Sequence, residues 1–146
     1  MVRKMTAADR AAYLAMAGEF YASDAVHAPI PAERFARTFD EAMRSDRYVG
    51  LYMLETEGRA VGYALTARTY QQEAGGEVVW IDEIYVSTEG RSRGLGREFL
   101  AYFAERSGAA RLRLEVAADN VRAKALYAAM GYEELPYEQM YRQLEP

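Results

Sequence analysis

Three groups of residues combine reactive or ligand-binding side-chain types with informative spacing. The first is Arg91-Ser92-Arg93-Gly94-Leu95-Gly96, set between a hydrophobic strand and an amphipathic helix. Two glycines one residue apart let the backbone approach a ligand with no side chains in the way. The helix that follows presents unpaired N–H groups and the positive end of its dipole. Arg91, Arg93 and Arg97 add charge around it. Together these residues make an anion site of the kind that cradles a pyrophosphate; a plain structural turn is the other reading they allow. The six-residue dinucleotide fingerprint fails, because Phe99 stands where a third small residue belongs. A Walker loop fails as well, since Gly-Lys followed by Ser or Thr does not occur.

The second group is Asn120 and Tyr127. Seven residues apart, they lie on nearly the same helical face, about 10 Å apart along the axis. Asn120 could equally cap the helix that starts there, and Tyr127 could equally be a core ring. The third group is Asp82 and Glu83. Adjacent strand residues point to opposite faces unless a bulge intervenes, so one can serve a reaction while the other pairs with an arginine.

Composition removes other chemistries. The chain has no cysteine, which excludes disulfides, thiolate metal sites and a cysteine nucleophile. His27 is the only histidine, and no carboxylate cluster makes a metal motif, so no metal is expected. A formal net charge of -4 without a basic block argues against a nucleic-acid partner. No basic-then-apolar leader is present, and no stretch approaches the roughly 18 apolar residues of a membrane span. The expectation is a cytoplasmic protein with no membrane partner.

The elements that must hold these groups follow from the hydrophobic pattern. Val2 to Met5 reads as a short strand, and Thr6-Ala7-Ala8-Asp9 as the start of a helix ending near Ala22. Pro31 opens a second helix running to Arg44. Tyr48 to Glu55 and Arg59 to Thr69 are strands joined at Glu57-Gly58, and Glu77 to Val86 is a third, rich in Val, Ile, Trp and Tyr. Leu95, Phe99 and Phe103 recur at helical spacing. Arg111 to Val116 alternates as a strand, and Val121 to Met130 is a helix stopped by Gly131. Short strands near Tyr132 to Glu134 and Glu138 to Leu144 close the chain. The order β-α-α-β-β-β-α-β-α-β-β predicts one α+β domain over residues 1–146, built on a mixed sheet.

Trp80-Ile81-Asp82-Glu83-Ile84-Tyr85-Val86, the loop with Arg91, Gly94 and Gly96, and Asn120, Ala123, Tyr127, Gly131 and Tyr132 resemble the GNAT superfamily of N-acetyltransferases. The order and spacing of these segments match, and so does the element order over nearly the whole chain. The resemblance implies a mostly antiparallel mixed sheet flanked by about four helices, with parallel strands splayed around a coenzyme A site. It implies that the amides of Arg91, Ser92, Arg93, Gly94, Leu95, Gly96 and Arg97 bind the pyrophosphate of acetyl-CoA. The pantetheine arm would run beside Ile84, Tyr85 and Val86, with Asn120, Ala123 and Lys124 on its other side.

The implied reaction is direct attack of a primary amine on the acetyl thioester, the amine being small, a polyamine or peptidic. Tyr127 matches the tyrosine assigned in the family as general acid, with a reference pKa near 10, close to that of a thiol. Asp82 is the first choice of base, with Glu83 or water as alternatives. Tyr21, Asp24 and His27, on the N-terminal helices and loop, would shape the acceptor pocket, where acidic groups suit a cationic amine. Two other readings keep the fold: an acyl-CoA sensor without turnover, and a transferase of another acyl group. The final strands, exposed at a sheet edge, would allow a homodimer.

Overall fold

The structure, a computed structural model, describes residues 1–145; Pro146, the last residue of the expected domain, lies outside them. The chain divides into two compact units, Met1–Glu115 and Val116–Pro146. In the first unit, β1 (Val2–Lys4) leads through a 3₁₀ turn at Ala7–Asp9 into α1 (Arg10–Tyr21) and α2 (Ala32–Arg44). Then follow β2 (Val49–Thr56), β3 (Arg59–Gln71), β4 (Gly76–Val86), α3 (Leu95–Arg106) and β5 (Arg111–Leu114). The second unit holds α4 (Val121–Ala129).

Local chemistry explains most of these boundaries. Glu57 and Gly58 both have positive φ, 51° and 74°, the geometry of a two-residue hairpin turn that matches strand twist. Pro31, with φ -60° and ψ 139°, sits just before α2, and its carbonyl accepts from the Arg34 N–H at 3.0 Å. Phe35, Phe39 and Ala42 then recur along one face of α2 and are buried.

The sheet runs β1-β2-β3-β4-β5 in space, antiparallel except for the parallel β4–β5 pair. It is mixed, as the element order predicts, and mostly antiparallel, as the resemblance implies. Alternation gives it two covered faces. One carries Leu51, Met53, Tyr63 and Leu65, packed with Tyr13, Met16 and Ala17 of α1 and Phe35 and Phe39 of α2. Tyr13 stacks on Phe39 at 5.7 Å and meets Tyr63 edge-on at 5.2 Å. On the other face Tyr52 meets Phe99 and Phe103 of α3, at 5.6 and 5.4 Å. Burying each such large side chain contributes about 1.5–3 kcal/mol, which anchors both helical layers.

β4 pairs with β5 only from Val78 to Ile81, and Asp82 to Val86 run on without a β5 partner. β5 itself ends at Leu114, two residues short of the expected Val116. The two expected C-terminal strands do not form among the described residues: no strand follows α4. Pro136 lacks an amide donor and Glu133, Glu134 and Glu138 crowd like charge into the segment, so little there supports a ladder. Met140 and Leu144 are 98% and 82% exposed. The homodimer expected through those strands therefore loses the paired elements it was read from.

Candidate active site

The chain from β4 into α3 makes the first part of the site. A 3₁₀ turn at Thr88–Gly90 ends β4, and Ser92 and Gly94 then take left-handed backbones, with φ of 62° and 73°. Gly94 is the residue immediately before α3, and its carbonyl accepts from the Glu98 N–H at 2.9 Å. A Cβ placed on Gly94 would meet no protein atom within 4 Å, so the space over the helix start is open. Buried Leu95, Phe99, Leu100 and Phe103 fix the helix to the sheet beneath.

Arginines flank Gly94 along the chain. Arg91 donates Nε–H to the Val86 carbonyl at 3.3 Å, and Arg93 reaches Thr56 Oγ1 at 3.3 Å and Glu57 at 3.6 Å. Arg91, Ser92, Arg93 and Arg97 are exposed. First-turn N–H groups, open space and three guanidinium groups are the chemistry of a diphosphate cradle.

The second part is a bulge in β4. Leu65 pairs with Glu83 while Thr66 pairs with Ile81, leaving Asp82 as the extra residue. The opposite-face rule for neighbours is thereby relaxed at this point. Glu83 faces α1 and takes two phenol hydrogen bonds, from Tyr63 at 2.6 Å and from Tyr21. Burial raises the Glu83 carboxyl, and the two phenols pull it back toward the charged form. Burial and the Glu83 charge push Tyr21 and Tyr63 well above the usual tyrosine range.

Among the described residues, Asp82 has no such donors. Its side chain reaches solvent at the rim, yet surrounding protein, with help from the Glu83 and Glu115 charges, pushes its carboxyl up to about 6. Within the adjacent pair, tyrosine phenols rather than an arginine hold Glu83. Glu83 is tethered; Asp82 is available.

Aromatic rings continue around the pair. Tyr21 packs on Phe35 and Phe20, at 5.2 Å each, and Tyr85 lies 5.8 Å from Tyr63 and 6.0 Å from Phe20. Tyr85 also donates to Glu19, and burial together with that carboxylate raises its phenol to about 12. Gly62 lets β3 and β4 close up here, since a Cβ on it would stand 2.3 Å from the Tyr85 carbonyl.

Tyr21, Asp82, Glu83 and Tyr85 are thus brought together, with Ile84 and Val86 continuing the strand. Asp24 and His27 lie exposed in the loop after α1, and the hydrogen bonds to Glu83 do not include them. Tyr63, Phe20 and Glu19 take part without having been singled out in the sequence. Tyr63 is hidden in a run of consecutive buried residues from Val61 to Thr66, where alternation marks no face.

In the second unit, Asn120 Oδ1 accepts from the Ala123 N–H at 3.2 Å, so Asn120 caps α4. Lys124 forms an ion pair with Glu134 at 2.7 Å. The Tyr127 ring lies 6.0 Å from Tyr132, and burial raises the Tyr127 phenol above its ordinary value. Gly131, with φ 90°, ends the helix.

Residues 14–132 match the family described as Acetyltransferase (GNAT) family. No curated protein matches the sequence. Among solved structures, an integron cassette protein from the mobile metagenome of Cole Harbour Salt Marsh is similar with a TM-score of 0.84 and 21% identity, over 99% of this chain and 91% of that one. A possible acetyltransferase from Clostridium difficile 630 gives 0.81 and 15%, over 100% and 98%. The aminoglycoside N-acetyltransferase AAC(6')-Iy, in complex with the bisubstrate analog CoA-S-monomethyl-acetylneamine, gives 0.79 and 17%, over 98% and 97%. At these identities the likeness concerns the fold.

Proposed function

The chain belongs to the acetyltransferase (GNAT) family, and we propose that it moves an acetyl group from acetyl-CoA to a primary amine by direct attack. The observation that carries the reading is the continuity of β4 with the α3 cradle. One strand brings Asp82 and Glu83, runs on past its last β5 partner, and delivers the chain to Gly94 at the head of α3. The residues fit coenzyme A: open space over Gly94 and the arginines suit its diphosphate, and the unpaired stretch of β4 suits an extended arm.

In this reading Asp82 takes the proton from the ammonium, directly or through water, because its carboxyl titrates near the working pH. A backbone N–H near Tyr85 or Val86 polarises the thioester carbonyl. Tyr127 gives the departing thiolate its proton. The rings and carboxylates around Glu83 suit an amine that arrives as a cation.

The test is titration calorimetry with acetyl-CoA and CoA, followed by a thiol-release screen over amines. Binding with release on one amine class supports the transferase. Binding without release on any amine would count for a sensor, and no binding would remove the cradle.

A further inference from the structure

β4 and β5 are parallel, and their ladder stops at the pair Ile81 and Leu114. The next residue on each side is a carboxylate, Asp82 on β4 and Glu115 just past β5, and both belong to the first compact unit. Asp82 is also the extra residue of the bulge against β3, so it has no register partner on either neighbouring strand. The ladder ends where the two acids stand.

No cation neutralises this pair among the described residues. Both acids are exposed, and neither side chain takes a hydrogen bond or an ion pair there. Arg113, two residues before Glu115, lies over the Trp80 ring at 4.3 Å and donates to Gln71 at 3.2 Å, and Arg111 is paired with Glu73 at 3.1 Å. The other groups around Asp82 are satisfied. Glu83 of β4 is held by Tyr63 of β3 and Tyr21 of α1, and Tyr21, pushed well above the ordinary tyrosine range, brings no charge of its own. Besides the larger effect of burial, the charges of Glu83 and Glu115 both disfavour ionised Asp82. Of these two, Glu115 is the one that no phenol holds.

Resting on the transferase reading above, we propose that Glu115 is a positioning residue for Asp82: from the end of β5, its charge sets the pH at which Asp82 takes the proton of the acceptor ammonium. Glu115 touches no reacting atom in this role. A base works best when its proton affinity lies near the working pH, and a like charge at the end of the ladder supplies affinity that a lone carboxylate on an open rim would lack. Removing that charge makes Asp82 a weaker base, ionised at lower pH.

Carbon-13 NMR of the Asp82 carboxyl, assigned by the signal missing from Asp82→Asn, follows its titration in the full chain without substrate, so the readout does not depend on turnover. Glu115→Gln should lower the Asp82 midpoint by roughly half a pH unit, about a threefold loss of proton affinity. Glu115→Asp, which keeps the charge, should stay close to wild type. Added salt should narrow the gap between wild type and Glu115→Gln, because screening weakens a charge effect and leaves a packing effect unchanged. The rising limb of acetyl transfer should move to lower pH in Glu115→Gln by the same amount. An Asp82 midpoint that ignores Glu115→Gln, or that falls equally in Glu115→Asp, overturns the proposal. So does a rate limb that stays in place while the midpoint moves. A midpoint that shifts as expected in a chain that acetylates no amine would instead count against the transferase reading and leave the coupling of the two carboxylates standing.

Discussion

Tyr63, buried in β3, donates its phenol hydrogen to Glu83 on β4 at 2.6 Å, and Tyr21 of α1 donates to the other oxygen of the same carboxylate. A carboxylate beneath a helix is costly unless donors satisfy it, and these two phenols do so. Tyr63→Phe keeps the ring and removes one donor. Losing a hydrogen bond to a buried charge costs about 1–3 kcal/mol, so the urea midpoint should fall correspondingly. Tyr21→Phe should act similarly, and the double variant should show the two effects coupled through Glu83. An unchanged midpoint in Tyr63→Phe would mean that Glu83 does not depend on this donor.

Asp82 gives a pH dependence of defined sign. Its carboxyl is raised from 3.8 to about 6, so the folded chain holds that proton more tightly than the unfolded chain does. Its contribution to stability is present below the unfolded value and lost as pH rises through about 6. Asp82→Asn should therefore melt above wild type at pH 7.5, and the gap should close by pH 4. Asp9 has the opposite sign: held down to about 2 by Arg3, it adds stability that is lost only in strong acid. If Asp82 is also the base, the acetyl-transfer rate should climb between pH 5 and 7 in wild type and flatten in Asp82→Asn. A wild-type profile without that limb would assign the proton to water or to Glu83.

Gly94 separates binding from folding. Its left-handed backbone, φ 73°, is one that a β-branched residue resists by about 1–2 kcal/mol, while a Cβ there touches no protein atom. Gly94→Val should leave a folded chain, with a slightly lower melting temperature, whose affinity for CoA falls at least tenfold. Calorimetry with CoA reads the one effect and thermal unfolding the other. Full CoA affinity in a folded Gly94→Val would move the diphosphate elsewhere.

What the sequence made legible was local. Glu57-Gly58 announces its turn and Gly131 its helix stop, because each depends on a few consecutive residues. The tethering of Glu83 was not legible, because Tyr21, Tyr63 and Glu83 meet through the β3–β4 register and the seating of α1. The bulge at Asp82 carries no glycine to mark it, and without it the relation between Asp82 and Glu83 could only be stated as a choice. The C-terminal segment failed for the converse reason. Tyr137, Met140 and Leu144 supply apolar residues, but an apolar pattern names no ladder partner, and no strand forms there among the described residues.

Tyr127 offers a separation of chemistry from binding. Burial raises its phenol above the ordinary value, so it is protonated at neutral pH, the form a proton donor requires. Its ring packs against Tyr132, and phenylalanine keeps that contact, so Tyr127→Phe should fold and bind CoA as wild type does. Turnover should drop roughly tenfold or more if the phenol protonates the departing thiolate, since general acid catalysis contributes on that scale. The loss should appear in kcat, with KM for acetyl-CoA little changed, because the proton is needed only as the thiolate leaves. A variant with undiminished kcat would exclude Tyr127 as the acid and leave a water to supply the proton.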